Sequence, residues 1–582
     1  MKHTIFSLIL FFISTSTFAT RKEILLNENW MFRFSHQVQF KSEERVNLPH
    51  TWNSGDALSG KQDYYRGMGN YTKTLFVKPE WKGKRLFLRF EGVNTIANVF
   101  INDVHIGEHR GGYASFALDV TAAVRAGDND LLVLVNDDVT ADCPSGKQSF
   151  KRESFGCFYS RITGIWQSVW LEFVPENYIK QIRFYPDPAH ASVRVHADCE
   201  GTGMFKIRVL YEGRPVGEAQ GEISQYGDIT CALRETHLWE PGHGRLYDAE
   251  LFFEGDAVRS YFGLRTIGFE NGRFMINGCP LFQRLVLDQG YYPDGLYTAP
   301  DASAIRRDIA LATDLGFNGA RLHQKVFEPI FLYECDRAGY LVWEELPSWG
   351  IDYTDLSNIG GVLEEWREVI ERDFNHPSII TWCCGNEFWT DEFKENRYVR
   401  VCDMRYVRAL YEFTKMLDET RPCVDASGGY HTDATDIYDF HIYTDERTTA
   451  DYIGRLEKDG VIDIANLTPP RAACAAAAYG GQPVLASEYG GISYDAAPGG
   501  WGYRKAATSE ELADNVIALS RLHMNCAKLT GMCYTQLYDV EQETNGLYYY
   551  DRSPKMTDGQ RARLRAALCA PAAIELDFFN KK

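Results

Sequence analysis

Hydrophobic and polar residues alternate with a period of two through the first 260 or so positions, and a longer pattern then takes over. Between about residues 20 and 175 the segments 71–77 (YTKTLFV), 85–90 (RLFLRF), 97–102 (ANVFIN) and 131–135 (LLVLV) are separated by Asn-Asp and Gly turns. This pattern predicts an antiparallel β-sandwich of the jelly-roll kind. From 176 to 266 the alternation continues in 192–196 (SVRVH), 205–211 (FKIRVLY) and 246–253 (LYDAELFF), enough for a small immunoglobulin-like β-sandwich. From 267 to 582 helical stretches such as 303–315 (SAIRRDIALATDL) alternate with brief apolar runs near 281–287, 317–322, 340–344, 378–384, 422–426, 437–442, 483–487 and 529–535. Eight strands alternating with helices predict a (β/α)8 TIM barrel. The fold class is therefore multidomain, with two β-sandwiches followed by a barrel.

A chain of 582 residues is too long for one hydrophobic core, in keeping with that division. The formal charge of -19 disfavours nucleic acid and anionic membrane surfaces as partners. Residues 1–19 read as a signal peptide, with a basic start, an apolar run and small residues before Thr20. The expected location is periplasmic or secreted, with no membrane insertion, and the sequence leaves a homo-oligomer open. Fourteen cysteines are scattered without zinc spacing, so most are expected as buried thiols, with one or two disulfides not excluded. No cofactor and no metal are expected.

Two strands end on carboxylates. Residues 376–387 (HPSIITWCCGNE) form an apolar run closing on Glu387, and 483–491 (PVLASEYGG) repeat the design around Glu488. In a (β/α)8 barrel the site lies at the C-terminal tips of the strands. Polar residues at those tips are Asp288, Arg321, His323, Glu345, Asn386, Glu387, His441, Tyr443, Glu488 and Gln536. Two glutamates across one barrel mouth suit glycosidic bond cleavage, which needs a proton donor on one side of the anomeric carbon and a base or nucleophile on the other. Asn386 is placed to bond a sugar 2-hydroxyl, and Tyr443 to hold the nucleophile. Arg321 and Glu345 also admit a purely structural ion pair. Glu344 should point away from Glu345, because neighbours on a strand face opposite sides. Trp382, Trp389 and Tyr489 either stack on the sugar or line the rim.

These segments resemble glycoside hydrolase family 2, the β-galactosidase, β-glucuronidase and β-mannosidase family. Residues 376–387 are similar to its acid/base signature and 487–491 to its nucleophile segment. Residues 48–52 (LPHTW), 65–71 (YRGMGNY), 99–107 (VFINDVHIG) and 164–170 (GIWQSVW) resemble its N-terminal sugar-binding jelly roll. Residues 238–241 (LWEP) and 262–265 (FGLR) resemble the end of its immunoglobulin-like domain and the entry to its barrel. The resemblance implies a retaining double displacement, with Glu488 the nucleophile and Glu387 the acid/base. Two like charges so close resist joint ionisation, which implies a raised pKa for the proton donor.

The chain also departs from the family. Where the glucuronidases carry an Asn-x-Lys pair that holds the sugar carboxylate, residues 543–546 read ETNG, so a Glu stands in place of the Asn and no Lys follows. A carboxylate there repels a uronate, unless Arg321 or Lys325 offsets it. Segments 285–295 (LVLDQGYYPDG) and 318–325 (NGARLHQK) look like a shorter, β-galactosidase-like branch, with Asp288 and His323 placed for hydroxyl recognition. The expected activity is an exo-acting retaining β-glycosidase on a small-molecule carbohydrate, galactoside being favoured. The alternatives are an arabinopyranoside, uronide or mannoside substrate, or a carbohydrate-binding protein without catalysis. A metal-dependent hydrolase built on His323, His441, Glu345 and Glu387 lacks an HExxH spacing.

Overall fold

The computed structural model describes residues 21–579, apart from 36–42, 56–64, 82–83, 138–141, 395–396, 429, 461–476 and 497–498. The leader expected over 1–19 lies outside the described residues. No described helix is long and apolar enough to cross a membrane.

The first unit packs a six-stranded antiparallel sheet, in which Met68–Val77 and Gly127–Asn136 are central, against a four-stranded sheet centred on Arg85–Phe90 and Val169–Val174. The inward residues of both sheets, among them Trp30, Phe32, Tyr71, Leu88, Phe90, Val99 and Leu171, form one buried core, as period-two alternation requires. The second unit is a five-stranded antiparallel sheet with two long strands, Ser192–Tyr211 and Arg214–Ala232. A register shift between Asp198 and Thr202 interrupts their pairing. Tyr178–Asp187 pairs with the first half of Ser192–Tyr211 and Leu246–Phe253 with the second half. Both halves supply one core of Val193, Val195, Phe205, Ile207 and Leu251.

The third unit carries the eight predicted strands: β1 Gln283–Asp288, β2 Gly319–Leu322, β3 Leu341–Glu345, β4 Ile379–Cys383, β5 Cys423–Val424, β6 Tyr438–Ile442, β7 Val484–Gly490 and β8 Leu529–Thr535. They are parallel in the order β5-β4-β3-β2-β1-β8-β7-β6. All eight are buried throughout, which explains why they read as short continuous apolar runs. Leu285, Leu287, Trp343, Leu485 and Cys533 fill the barrel interior, while Val286, Val342, Trp382 and Ala486 pack outward on the helices. The helices α1 Ala302–Asp314, α2 Pro329–Ala338, α3 Ile359–Asp373, α4 Met404–Leu417, α5 Glu446–Asp459, α6 Ser509–Met524 and α7 Asp558–Leu568 surround it. Asp301, Asp403, Asp445, Thr508 and Thr557 cap α1, α4, α5, α6 and α7 by accepting from first-turn amides.

Strands β5 and β6 do not pair, so the ring has a seam. Side chains close it: His431 Nδ1 lies 2.7 Å from Asp425 Oδ1, and its Nε2 lies 3.1 Å from the Asp439 carbonyl. Burial opposes charging of His431, but the Asp425 and Asp439 carboxylates prevail and raise its pKa to about 10.

The first unit also grips the barrel. The Glu365 carboxylate on α3 is buried and accepts from the Tyr113 amide at 2.8 Å. Burial pushes its pKa up to about 8. Of the thirteen described cysteines, ten are buried.

Candidate active site

Three strand tips set the centre of the site. β4 delivers Asn386 and Glu387, β6 delivers His441 and Tyr443, and β7 delivers Glu488. One carboxylate oxygen each of Glu387 and Glu488 and a ring nitrogen of His441 lie within 4.8 Å of one another. His441 Nδ1 is 2.9 Å from Glu387 Oε1, and its Nε2 is 3.5 Å from Glu488 Oε1. Burial opposes charging of His441, but the Glu488 and Glu387 carboxylates outweigh it and raise its pKa. The imidazole thus sits between the two acids, in contact with both. These three side chains are also the group whose donor atoms could meet on a metal ion, although each is already engaged by protein partners.

The two acids differ in surroundings. The Glu488 side chain is 6% exposed, whereas Glu387 is 25% exposed and has its backbone in the left-handed region at φ 49°. Such a strained non-glycine conformation marks a position that the surrounding structure enforces. Glu488 Oε1 accepts from Arg321 at 2.8 Å, and Oε2 accepts from the Tyr443 hydroxyl. Burial alone would favour the neutral acid, but His441 and Arg321 hold Glu488 well below the usual carboxylate range. It is an anion at neutral pH.

Arg321 organises one wall. Its Nε donates to Glu345 Oε2 at 2.7 Å, and its terminal nitrogens donate to Glu488, to the Ser487 carbonyl and to Asn386 Oδ1 at 2.7 Å. That bond turns the amide nitrogen of Asn386 to the opposite side, where it can donate. Glu345 also accepts from the Gln324 amide at 3.0 Å and from Gln324 Nε2 at 2.8 Å. Despite burial, Arg321 and His323 hold it far below its ordinary pKa. His323 Nδ1 lies 3.1 Å from Glu345 Oε1, and burial with nearby Lys147 lowers the pKa of the ring. The arginine and Glu345 are wholly enclosed. They are therefore positioning residues rather than the sugar ligands expected from their place on the strands.

The structure corrects further expectations. Asp288 points out of the barrel, where it accepts from the Tyr538 hydroxyl and the Gly290 amide, because even-numbered residues of β1 face the helices. Trp382 faces outward for the same reason, packing on Trp366 and donating to Asp418 at 2.8 Å. Tyr489 bonds Ser520 on α6, since the irregularity between Ala486 and Tyr489 turns Glu488 inward and its neighbour outward. Gln536 is committed at both ends, to Gln289 and to Asn545. Lys325 donates to the Gly290 and Tyr297 carbonyls, so it offsets nothing at Glu543. Glu344 is buried away from Arg321, and desolvation with Asp373 raises its pKa. Trp389 stands half-buried, against Tyr430.

Sequence reasoning missed the second wall. Lys147 and Tyr159 come from the first unit, on a loop pinned to the barrel. Gly146 has φ +59°, and a Cβ there would meet the Gln324 carbonyl at 2.0 Å. Ser145 bonds the Trp349 carbonyl through its amide and hydroxyl. Lys147 Nζ lies 5.3 Å from the Trp349 ring centre and 5.7 Å from that of Tyr159. Trp349 Nε1 in turn donates to the Asn386 carbonyl at 3.2 Å. Glu543 accepts from the Tyr159 hydroxyl and from Asn545 Nδ2, and lies 3.7 Å from Lys147 Nζ. Tyr503 stacks on Tyr443 with ring centres 3.6 Å apart and is half exposed.

Comparison with known proteins agrees with this architecture. Residues 270–557 match the model described as glycosyl hydrolases family 2, TIM barrel domain, and 45–175 match the family 2 sugar binding domain. The chain belongs to glycosyl hydrolase family 2. A β-glucuronidase of Bacteroides fragilis is 34% identical over 460 residues, covering 72% of this chain and 63% of that protein. A β-galactosidase of Thermoanaerobacter pseudethanolicus is 28% identical over 444 residues, covering 72% and 56%. The match thus spans less than two thirds of the length of these family 2 relatives. Among solved structures, the β-D-glucuronidase of Dictyoglomus thermophilum superposes with TM-score 0.73 at 22% identity over 95% of this chain and 98% of that one. A putative β-galactosidase from Bacteroides fragilis gives 0.74 at 20% identity over 94% and 85%. At such identities the likeness establishes the shared family 2 fold.

Proposed function

We propose that the chain is an exo-acting retaining β-glycosidase that releases terminal non-reducing sugars from oligosaccharides. The observation that carries this reading is the close approach of Glu387 and Glu488, whose oxygens lie within 4.8 Å. So close an approach fits the roughly 5–5.5 Å of a retaining pair better than the roughly 6.5–9.5 Å that admits the intervening water of an inverting enzyme. Ionised Glu488 attacks the anomeric carbon while Glu387 protonates the departing oxygen. A glycosyl-enzyme results, and Glu387 then deprotonates the water that releases the sugar. The greater exposure of Glu387 suits a residue that meets both leaving group and water.

A β-galactoside is the favoured substrate, supported by the β-galactosidase relative. A β-uronide is the second reading, supported by the 34% identical relative named β-glucuronidase. The test is a panel of 4-nitrophenyl galactoside, glucuronide, mannoside, arabinopyranoside and fucoside, with NMR of the first-formed anomer. Retention of the β-anomer is expected. Glu387→Ala should lose most activity and regain part of it with added azide, which needs no general base. An inverted product, or no azide rescue, would contradict the assignment.

A further inference from the structure

Lys147 differs from the other buried cations around the barrel. Arg321, Lys325 and Lys555 each donate to protein acceptors at 2.6–2.9 Å. The Lys147 side chain is only 9% exposed, and its ammonium has no described acceptor within hydrogen-bond range, the Glu543 oxygen being 3.7 Å away. An ammonium has three donors, and no described protein acceptor takes them up. Its position shows where they point. Trp349 connects it to Asn386, Asn386 to Arg321 and Arg321 to Glu488. On the other side Glu543 leads through Asn545 to Gln536, next to Thr535, which bonds Tyr443. These contacts tie the Lys147–Glu543 pair to Glu488 by way of Arg321 on one side and Tyr443 on the other. The Glu387 and Glu488 charges act on Lys147 as well.

Both oxygens of Glu543 are held, one by Tyr159 and one by Asn545, so the carboxylate is fixed in place. With nitrogen and oxygen 3.7 Å apart, one hydroxyl oxygen can lie about 2.8 Å from both, accepting from Lys147 and donating to Glu543. A carboxylate in that position would accept from Lys147 but has no proton to offer Glu543, and the two anions would repel.

We propose that Lys147 and Glu543, one from each domain, form a clamp that reads a sugar hydroxyl and makes the pocket selective for an uncharged sugar over a uronide. This rests on the glycosidase reading and specifies its substrate class. The experiment compares wild type, Lys147→Met and Glu543→Gln, all full length, on the same 4-nitrophenyl glycosides, with thermal melts to confirm folding. Glu543→Gln is isosteric and serves where Lys147→Met does not fold. Wild type should cleave a neutral glycoside at least about tenfold faster in kcat/KM than the glucuronide. Each variant should lose about tenfold or more on that neutral glycoside, mainly through KM, and Glu543→Gln should raise the glucuronide-to-neutral ratio by about tenfold. Equal losses on both substrates, no loss in either variant, or a wild type that prefers the glucuronide would overturn the clamp and leave the glycosidase standing. A folded wild type that cleaves nothing in the panel overturns the glycosidase reading itself.

Discussion

The two walls of the pocket are built on opposite principles. On the Arg321 wall every donor is used: one guanidinium joins Glu345, Glu488 and Asn386, and solvent does not reach it. On the Lys147 wall a buried ammonium stands beside a fixed carboxylate with its donors unspent. The first arrangement is preorganised, so the Glu488 carboxylate is oriented and ionised in advance of the proposed reaction. The second leaves its hydrogen bonds to be completed by whatever enters. Under the proposed glycosidase reading, saturation accompanies the chemistry that all substrates share, and the incomplete wall accompanies discrimination among them.

Experiments on the saturated wall should give the larger effects. Glu488→Gln removes the attacking anion and should lower kcat on the order of 10⁴-fold or more with the fold intact, as happens when a covalent nucleophile is lost. Full activity in that variant would refute the role given to Glu488. Arg321→Met strands Glu345 and Glu488 as buried anions, and uncompensated buried charge costs about 3–5 kcal/mol. Thermal denaturation should register this as a clear drop, larger than that of Lys147→Met, which leaves one anion, Glu543, still held by Tyr159 and Asn545. An equal drop in both would erase the contrast between the walls.

The smallest effect concerns pH. Glu345 and Glu488 are held below their unfolded value of 4.5, so the stability they supply is present above that pH and lost as pH falls through their folded values. Glu365, between the first unit and the barrel, has the opposite sign. Its pKa is raised from 4.5 to about 8, so its contribution is intact below about 4.5 and declines as pH climbs to about 8. Glu365→Gln should flatten the fall in melting temperature between pH 5 and 8 and leave the acid limb unchanged. An unaltered slope would show that Glu365 does not titrate in this way.

The sequence exposed some of this and hid the rest for physical reasons. The eight strands were readable because buried parallel strands are short apolar runs, and Glu387 and Glu488 because a carboxylate ending such a run is conspicuous. Side-chain direction at the tips was not readable. Asp288, Trp382 and Tyr489 sit at or beside strand ends, but alternation and the irregularity in β7 turn them toward the helices. Arg321 and Glu345 were visible as a possible pair, though not the number of bonds that enclose them. Lys147 gave no signal, since it lies in a loop of another domain and meets Glu543 only after the long-range packing set by Ser145 and Gly146 is complete. Glu543 did give one, as the acid standing where family glucuronidases carry Asn.

The β5–β6 seam has a mechanical consequence. Glu387 follows β4 and Glu488 lies on β7, so going round the ring through β5 and β6 the path between them crosses the one joint without a backbone ladder. That joint is closed by an imidazolium and two aspartates, with Ser427 donating to Asp439 and standing 3.3 Å from His441, which touches both acids. Loosening that rivet would let the barrel gape on this side and drive the two acids apart, so the stiffness of a surface-remote histidine becomes part of the tolerance to which the reaction is machined.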